Sequence, residues 1–176
     1  MTDDPRDELR DGIDALTEEQ ARTMLGWTRA LNRERRVADT ERSVGSLGDT
    51  LGIVSEVQER GRSRMRLAVD PAWHNPNGVL HGGVIYTMID YSMGGAIQNS
   101  LPDGEHCATI EVKVNYLAPV REGTLTVETE VVKLGRNIAF TESKVRDDQD
   151  RLVATASGSM FIVRPDAQAS ARPSSQ

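Results

Sequence analysis

At 176 residues the chain is long enough to close one hydrophobic core without disulfides or a bound metal. Its 27 acidic residues against 21 Lys and Arg give a net charge of -6 and a pI near 5.1, which argues against nucleic-acid partners and means that any anionic ligand needs a local basic site. No run of roughly 18 apolar residues occurs, so no transmembrane segment is expected, and the lone Cys107 excludes an internal disulfide and a Cys-rich zinc site.

Residues 1–16 are polar and charged and read as frayed. They lack the apolar stretch of a secretory signal, so a cytoplasmic location is expected. Thr17 and Gln20 have capping-box spacing. Ala21, Met24, Leu25, Thr28 and Leu31 then recur at helical intervals. A helix near 17–36 is expected, closing on Glu34-Arg35-Arg36, whose positive end suits a helix C-terminus. Residues 1–48 thus form a charged arm, docked on the core or on a neighbouring subunit, with a Gly-, Ser-, Asp- and Thr-rich linker over 38–50.

From Leu51 the periodicity changes to that of strands. Leu51–Gln58 and Ser63–Val69 flank Arg60-Gly61-Arg62, a hairpin signal. An apolar helix over Gly83–Ser100 follows, stopped by Leu101-Pro102-Asp103-Gly104. Four further strands are expected over Ala108–Leu117, Thr124–Lys133, Ile138–Arg146 and Arg151–Val163, arranged as a meander. In the first of these Ile110, Val112, Val114 and Tyr116 share one face, and Thr109, Glu111, Lys113 and Asn115 the other. From Arg164 the Pro-, Ser- and Ala-rich tail reads as disordered. The expected architecture is α+β: one antiparallel sheet wrapped around one long central helix, with an N-terminal helical arm. The domain spans 49–164 and the tail 165–176.

The chemistry-bearing stretch runs from His74-Asn75-Pro76-Asn77-Gly78 through His81-Gly82-Gly83 to Asp90. On a helical wheel Val84, Ile85, Met88, Ile89, Tyr91, Gly95 and Ala96 form the apolar face. Asp90 lies on the other side, beside Tyr86, Thr87 and Gly94. Gly94-Gly95 in mid-helix points to close approach by another backbone or a ligand. Gly82 and Gly83 open the helix, where free N–H groups and the positive dipole end have the make-up of an oxyanion hole. The plainer alternatives are an Asp90 that faces water or pairs with a base, and a glycine pair that merely turns the chain.

Spacing constrains any shared role. Eight residues at 1.5 Å rise put Gly82 and Asp90 roughly 12 Å apart on one helix. If both act on one substrate they come from different subunits, most simply across a two-fold dimer of antiparallel helices. Other catalytic templates are missing: no Gly-x-Ser-x-Gly, no P-loop and no dinucleotide fingerprint occur. His74 and His81 lack a metal-ligand spacing, so neither a metal nor a cofactor is expected. Cys107 reads as a buried small side chain rather than a nucleophile.

These motifs carry a resemblance. The run His74-Asn75-Pro76-Asn77-Gly78-Val79-Leu80-His81-Gly82-Gly83, with Asp90 nine residues after His81, resembles the hotdog-fold thioesterase superfamily. Within it the likeness is to the phenylacetate-pathway and Them2-like branch of acyl-CoA thioesterases. Asn115-Tyr116-Leu117-Ala118-Pro119 and Lys133–Phe140 extend it over about 51–163.

The resemblance implies a hydrolase acting on an acyl-CoA, with CoA as part of the substrate. Asp90 would be the catalytic base or nucleophile. The Gly82 N–H would polarise the thioester carbonyl, and His81 would orient that loop. Asn75 would hold water or thioester, and Thr109 would position water near Asp90 of its own subunit. Gly83, Tyr86, Arg136 and Asn137 would bind substrate, with Arg136 toward the CoA phosphates or pantetheine arm. It also implies a homodimer, with assembly into a dimer of dimers expected, and sites shared between subunits. A hotdog hydratase or dehydratase and a non-catalytic acyl-CoA-binding protein are the competing readings.

Overall fold

Strict alternation builds the sheet. In the strand β2 (Arg62–Ala68), Ser63, Met65 and Leu67 are buried while Arg62, Arg64 and Arg66 face out, the pattern of a strand covered on one side. β5 (Ile138–Arg146) repeats it through Ala139, Thr141, Ser143 and Val145. With β1 (Ile53–Glu59), β3 (His106–Tyr116), β4 (Thr124–Leu134) and β6 (Leu152–Val163), these strands form one antiparallel sheet in the order β1-β2-β4-β5-β6-β3. One 17-residue helix, Gly82–Gln98, packs against all six strands. This is a hotdog fold, an antiparallel sheet around a long helix.

The computed structural model describes residues 10, 12–18, 20–21 and 47–164, in two compact units, Met1–Gly52 and Ile53–Gln176. In the first unit the Thr17 N–H donates to Gln20 Oε1 at 2.9 Å and the Gln20 N–H to Thr17 Oγ1 at 3.3 Å, the reciprocal bonds of a capping box. Leu47–Leu51 is a short helix, α1. The sequence puts 38–50 in a linker and starts a strand at Leu51; a helix of 5 residues carries too little periodicity to show. The expected arm helix over 22–36 and the tail 165–176 lie outside the described residues.

In the second unit, the helix Gly82–Gln98 (α2) buries Val84, Ile85, Met88, Ile89, Ser92, Met93, Ala96 and Ile97. This arc is wider than the wheel suggested, because a curved sheet reaches round more than half of the helix. Ser92 and Met93 are fully buried, and Tyr91 is only half-buried. Four buried hydroxyls then join helix to sheet. Ser143 Oγ and Thr129 Oγ1 lie 2.7 Å apart, Thr129 Oγ1 and Ser92 Oγ 2.7 Å, and Ser92 Oγ and Ser63 Oγ 2.6 Å. Ser63 Oγ donates to the Ser92 carbonyl at 2.6 Å. Each hydroxyl has one proton, so that last bond sets the direction of the rest: Ser143 to Thr129 to Ser92 to Ser63 to the carbonyl.

Two expectations about strands need correction. β3 does not lie beside β4 in a meander. It pairs with β6 at one edge of the sheet, and β4 pairs with β2. The helix carries the chain across the sheet to the far edge, and the loop after β3 brings it back. β3 also does not alternate cleanly. Its register against β6 slips between Thr109 (opposite Met160) and Glu111 (opposite Ser159), so Ile110 is an extra, bulged residue. Before it Cys107 and Thr109 pair with buried Ile162 and Met160. After it Val114 and Tyr116 pair with buried Ala156 and Ala154. Directly paired residues share a face, so Thr109 lies on the same side as Val114 and Tyr116, facing the helix. Ile110 is left 56% exposed.

Candidate functional site

Two clusters form at α2, one at its start and one midway. At the start, His74 and Leu80 bridge the loop into a narrow hairpin. Within it Asn75 Oδ1 accepts from the Asn77 N–H at 2.9 Å, and the Asn75 N–H donates to the Val79 carbonyl at 2.8 Å. The carboxamide oxygen of Asn75 is therefore engaged in its own turn. Its Nδ2, and the second lone pair of that oxygen, remain to be offered to a ligand.

His81 caps the helix with extended backbone, φ -63° and ψ 132°. Its Nδ1 accepts from the Gly83 N–H at 3.1 Å, so that nitrogen is unprotonated and the ring proton is on Nε2. The Gly83 N–H is thereby taken. Among the described residues nothing accepts from the Gly82 N–H, which sits at the positive end of α2. Of the two glycines, only Gly82 presents a free donor.

Tyr116 completes this end; the sequence places it on the apolar face of β3 and in the Asn115–Pro119 run of the resemblance, with no role at the site. Its Oη donates to the Gly82 carbonyl at 2.9 Å. Its ring lies over Gly82 so closely that a Cβ there would stand 3.3 Å from Cζ. Tyr86, one turn into the helix, is 39% exposed. Burial pushes the Tyr116 phenol above its ordinary value, and the neighbouring Tyr86 adds to this. No sequence signal shows that the end of β3 returns to the helix start, since the bulge at Ile110 sets that phase.

Midway along α2, Thr109 Oγ1 donates to Asp90 Oδ1 at 2.8 Å. Cys107 lies two residues earlier on the same side of β3, and its Sγ is 3.8 Å from the Gly94 carbonyl. Burial pushes its thiol up, its own backbone hydrogen bond pulls it down, and the Asp90 charge raises it further. Such a thiol is a poor nucleophile. Gly94 has open space where a Cβ would be. A Cβ on Gly95 would lie 3.0 Å from Met65 Cε and 3.4 Å from Gln58 Nε2, so that glycine admits the chain's own sheet rather than a second copy.

The two clusters stay apart. α2 is continuous from Gly82 to Gln98, so the separation of roughly 12 Å between Gly82 and Asp90 holds. The structure brings His81, Gly82, Gly83 and Tyr116 together, and separately Asp90, Thr109 and Cys107. Arg136 and Asn137 lie in neither cluster. They occupy the turn between β4 and β5, held by Arg164, whose guanidinium donates to the Arg136 carbonyl and to Asn137 Oδ1 and pairs with Glu105 at 3.1 Å. The Arg136 side chain is exposed. By contrast the β2 arginines face Glu56, Glu128 and Glu130. Among the described residues no group of His, Cys, Asp and Glu could hold a metal ion, and no helix is long and apolar enough to cross a membrane.

Known proteins share this framework. The family model described as the thioesterase superfamily matches residues 77–154, from the loop before His81 to the start of β6. A Saccharolobus solfataricus protein with a provisional esterase name is 32% identical over 116 residues, 65% of this chain and 75% of its own length. The 1,4-dihydroxy-2-naphthoyl-CoA hydrolase of Listeria monocytogenes is 28% identical over 107 residues, 61% of this chain and 87% of that enzyme. The crystal structure of a Bacillus halodurans protein with CoA superposes with a TM-score of 0.73 at 28% identity, over 87% of this chain and 99% of that one. With this sequence likeness, the matched fold and the helix-borne His81-Gly82-Gly83, the chain belongs to the thioesterase superfamily.

Proposed function

We propose that the protein hydrolyses an acyl-CoA thioester to the free acid and CoA, with Asp90 as general base and the Gly82 N–H as oxyanion donor. The carrying observation is the pair of unspent groups on one helix, a free Gly82 N–H at its start and an Asp90 carboxylate oriented by Thr109 further along. A CoA-bound relative and one named 1,4-dihydroxy-2-naphthoyl-CoA hydrolase support the substrate class. The spacing from Asn75 through His81 to Asp90 supports the narrower phenylacetate-pathway and Them2-like assignment.

A thioester carbonyl is already activated, so two tasks remain. Water must lose a proton as it attacks, and the carbonyl oxygen must be stabilised as it gains charge. Asp90 takes the proton, with Thr109 holding one carboxylate oxygen. The tetrahedral oxygen rests on the Gly82 N–H. Collapse breaks the C–S bond, and the proton passes from Asp90 to the departing CoA sulfur. Asn75 Nδ2 faces the same carbonyl from the loop. Tyr86 lines the acyl side, and the exposed Arg136, beside Asn137, meets the CoA phosphates.

One carbonyl cannot reach both groups across about 12 Å. Each site therefore takes Gly82 from one subunit and Asp90 from another, in a homodimer that associates further into a dimer of dimers. The edge of β3, unpaired among the described residues and with Ile110 exposed, is available for the first contact. The lone free thiol suits a cytoplasmic setting.

The test is thiol release from a panel of short, long and aromatic CoA thioesters. Asp90→Asn is expected to lower turnover by about 10²–10⁴-fold with the fold intact. Wild-type-like turnover by that variant overturns the mechanism. CoA-ester binding without thiol release overturns the activity in favour of a binding protein, and enoyl-CoA hydration in favour of a hydratase.

A further inference from the structure

The amide between Gly82 and Gly83 is held at both ends. Its carbonyl accepts from Tyr116 Oη at 2.9 Å, and its N–H donates to His81 Nδ1 at 3.1 Å. The adjoining amide, between His81 and Gly82, carries the N–H that nothing among the described residues accepts. Peptide groups are planar, so the two amides are related only by the φ and ψ of Gly82, and glycine has the least intrinsic preference for either. Whatever fixes the Gly82 carbonyl thereby fixes the direction of the Gly82 N–H.

The surroundings argue that the Tyr116 hydroxyl does this, rather than merely filling space. The side chain is 52% exposed, so it adds little to the core, and a purely packing role there would be served by any ring. Gly82 and Tyr116 are sterically matched, since a Cβ on Gly82 would stand 3.3–3.4 Å from the ring and its oxygen. Burial keeps the phenol protonated above its usual range, so it remains a donor through neutral and mildly alkaline conditions. A donor on the carbonyl also polarises the amide and strengthens the Gly83 N–H as a donor to His81.

We propose that Tyr116 is a positioning residue that aims the Gly82 N–H by locking the Gly82–Gly83 amide against His81. Its catalytic consequence rests on the oxyanion role assigned to Gly82 above. Its hydroxyl proton is spent on the Gly82 carbonyl. The residue acts through one peptide group, from the far end of the strand that also carries Thr109.

The experiment uses Tyr116→Phe in the full-length chain, which keeps the ring and removes only the hydroxyl. With a CoA thioester that the wild type hydrolyses, kcat is expected to fall roughly tenfold to a hundredfold, less than the 10²–10³ of losing an oxyanion donor itself. KM should stay within about twofold, because the interaction acts on the developing charge rather than on bound substrate. In labelled protein, the Gly83 amide proton should exchange with solvent about tenfold faster, because its bond to His81 loosens. Unchanged kcat, a loss confined to KM, or unchanged Gly83 exchange would overturn the proposal. If the wild type hydrolyses no CoA thioester, the thioesterase reading fails by itself. Gly83 exchange then still decides whether Tyr116 holds the amide.

Discussion

Replacing Ser92 by alanine tests whether the buried hydroxyls act as one directed chain. Ser92 is fully buried, as are its neighbours Thr129 and Ser63, at 1% and 3% exposure. In the order Ser143, Thr129, Ser92, Ser63, each hydroxyl donates to the next. Removing the Ser92 oxygen leaves the Thr129 proton without an acceptor, a loss of about 1–3 kcal/mol. Alanine returns about 0.5 kcal/mol through its helix propensity, so the net loss is about 1–2 kcal/mol. For a unit of this size that lowers the melting midpoint by roughly 4–8 °C. Thr129→Val strands the Ser143 proton instead and costs a similar amount. The double variant also strands only the Ser143 proton, so it should be about as stable as Thr129→Val alone. Urea unfolding followed by circular dichroism, at constant m-value, measures this coupling. Ser143→Ala, at the donor end, removes a donor without stranding another and should be the mildest. Additive losses for Ser92→Ala and Thr129→Val would refute the chain. So would a kcat change in Ser92→Ala, since Ser92 stands 200° around the helix from Asp90 at 100° per residue.

Cys107 should react with iodoacetamide at pH 7.5 more slowly than a free thiol, and Asp90→Asn should speed that reaction by removing the charge that raises the thiol. Burial would push the Asp147 carboxyl up, but hydrogen bonds from the Arg151 N–H, its guanidinium and the Gln149 N–H outweigh this and hold it below the ordinary value of 3.8. The folded state thus favours its charged form. The stabilisation is present above that value and is lost as pH falls through the lower folded value, so Asp147→Asn should destabilise at pH 7 and much less near pH 3 in thermal melts. In Gly158→Ala the new Cβ would stand 2.6 Å from Met93 Sδ and 3.2 Å from the Glu111 carbonyl. Overpacking should cost about 1–3 kcal/mol, and truncating Met93 in the same chain should recover part of it.

Local rules made much of this fold readable. β5 falls at Ile138–Arg146 as its alternation predicts, and α2 begins one residue before the expected Gly83. The stretch from His81 to Asp90 announced itself through residues that a packing helix does not need. What stayed hidden is non-local. Nothing in the composition of β3 says that it pairs with β6, because partner choice depends on where the helix delivers the chain. The bulge was concealed because Ile110, Val112, Val114 and Tyr116 are all apolar or aromatic, so the residue types keep alternating where the backbone does not. The same alternation puts Tyr116 among the apolar positions and gives no sign of its hydroxyl bond to the Gly82 carbonyl. Nothing local marks Ser92, whose role depends on two hydroxyls, of Ser63 and Thr129, that the sheet brings to it.

The bulge at Ile110 makes the site depend on counting. Thr109 faces Asp90 and Tyr116 faces Gly82, though their seven-residue separation would put an odd and an even position on opposite faces of a regular strand. One supernumerary residue restores their parity. Substitution of exposed Ile110 keeps the bulge, and its deletion would leave Thr109 and Tyr116 six positions apart, on one face of a regular strand. What Ile110 contributes by its presence is the bend and added twist of a bulge at the edge of the sheet. A further residue inserted here, if the strand does not bulge it out, would turn either Thr109 or Tyr116 outward and should be more damaging than replacement or loss of Ile110.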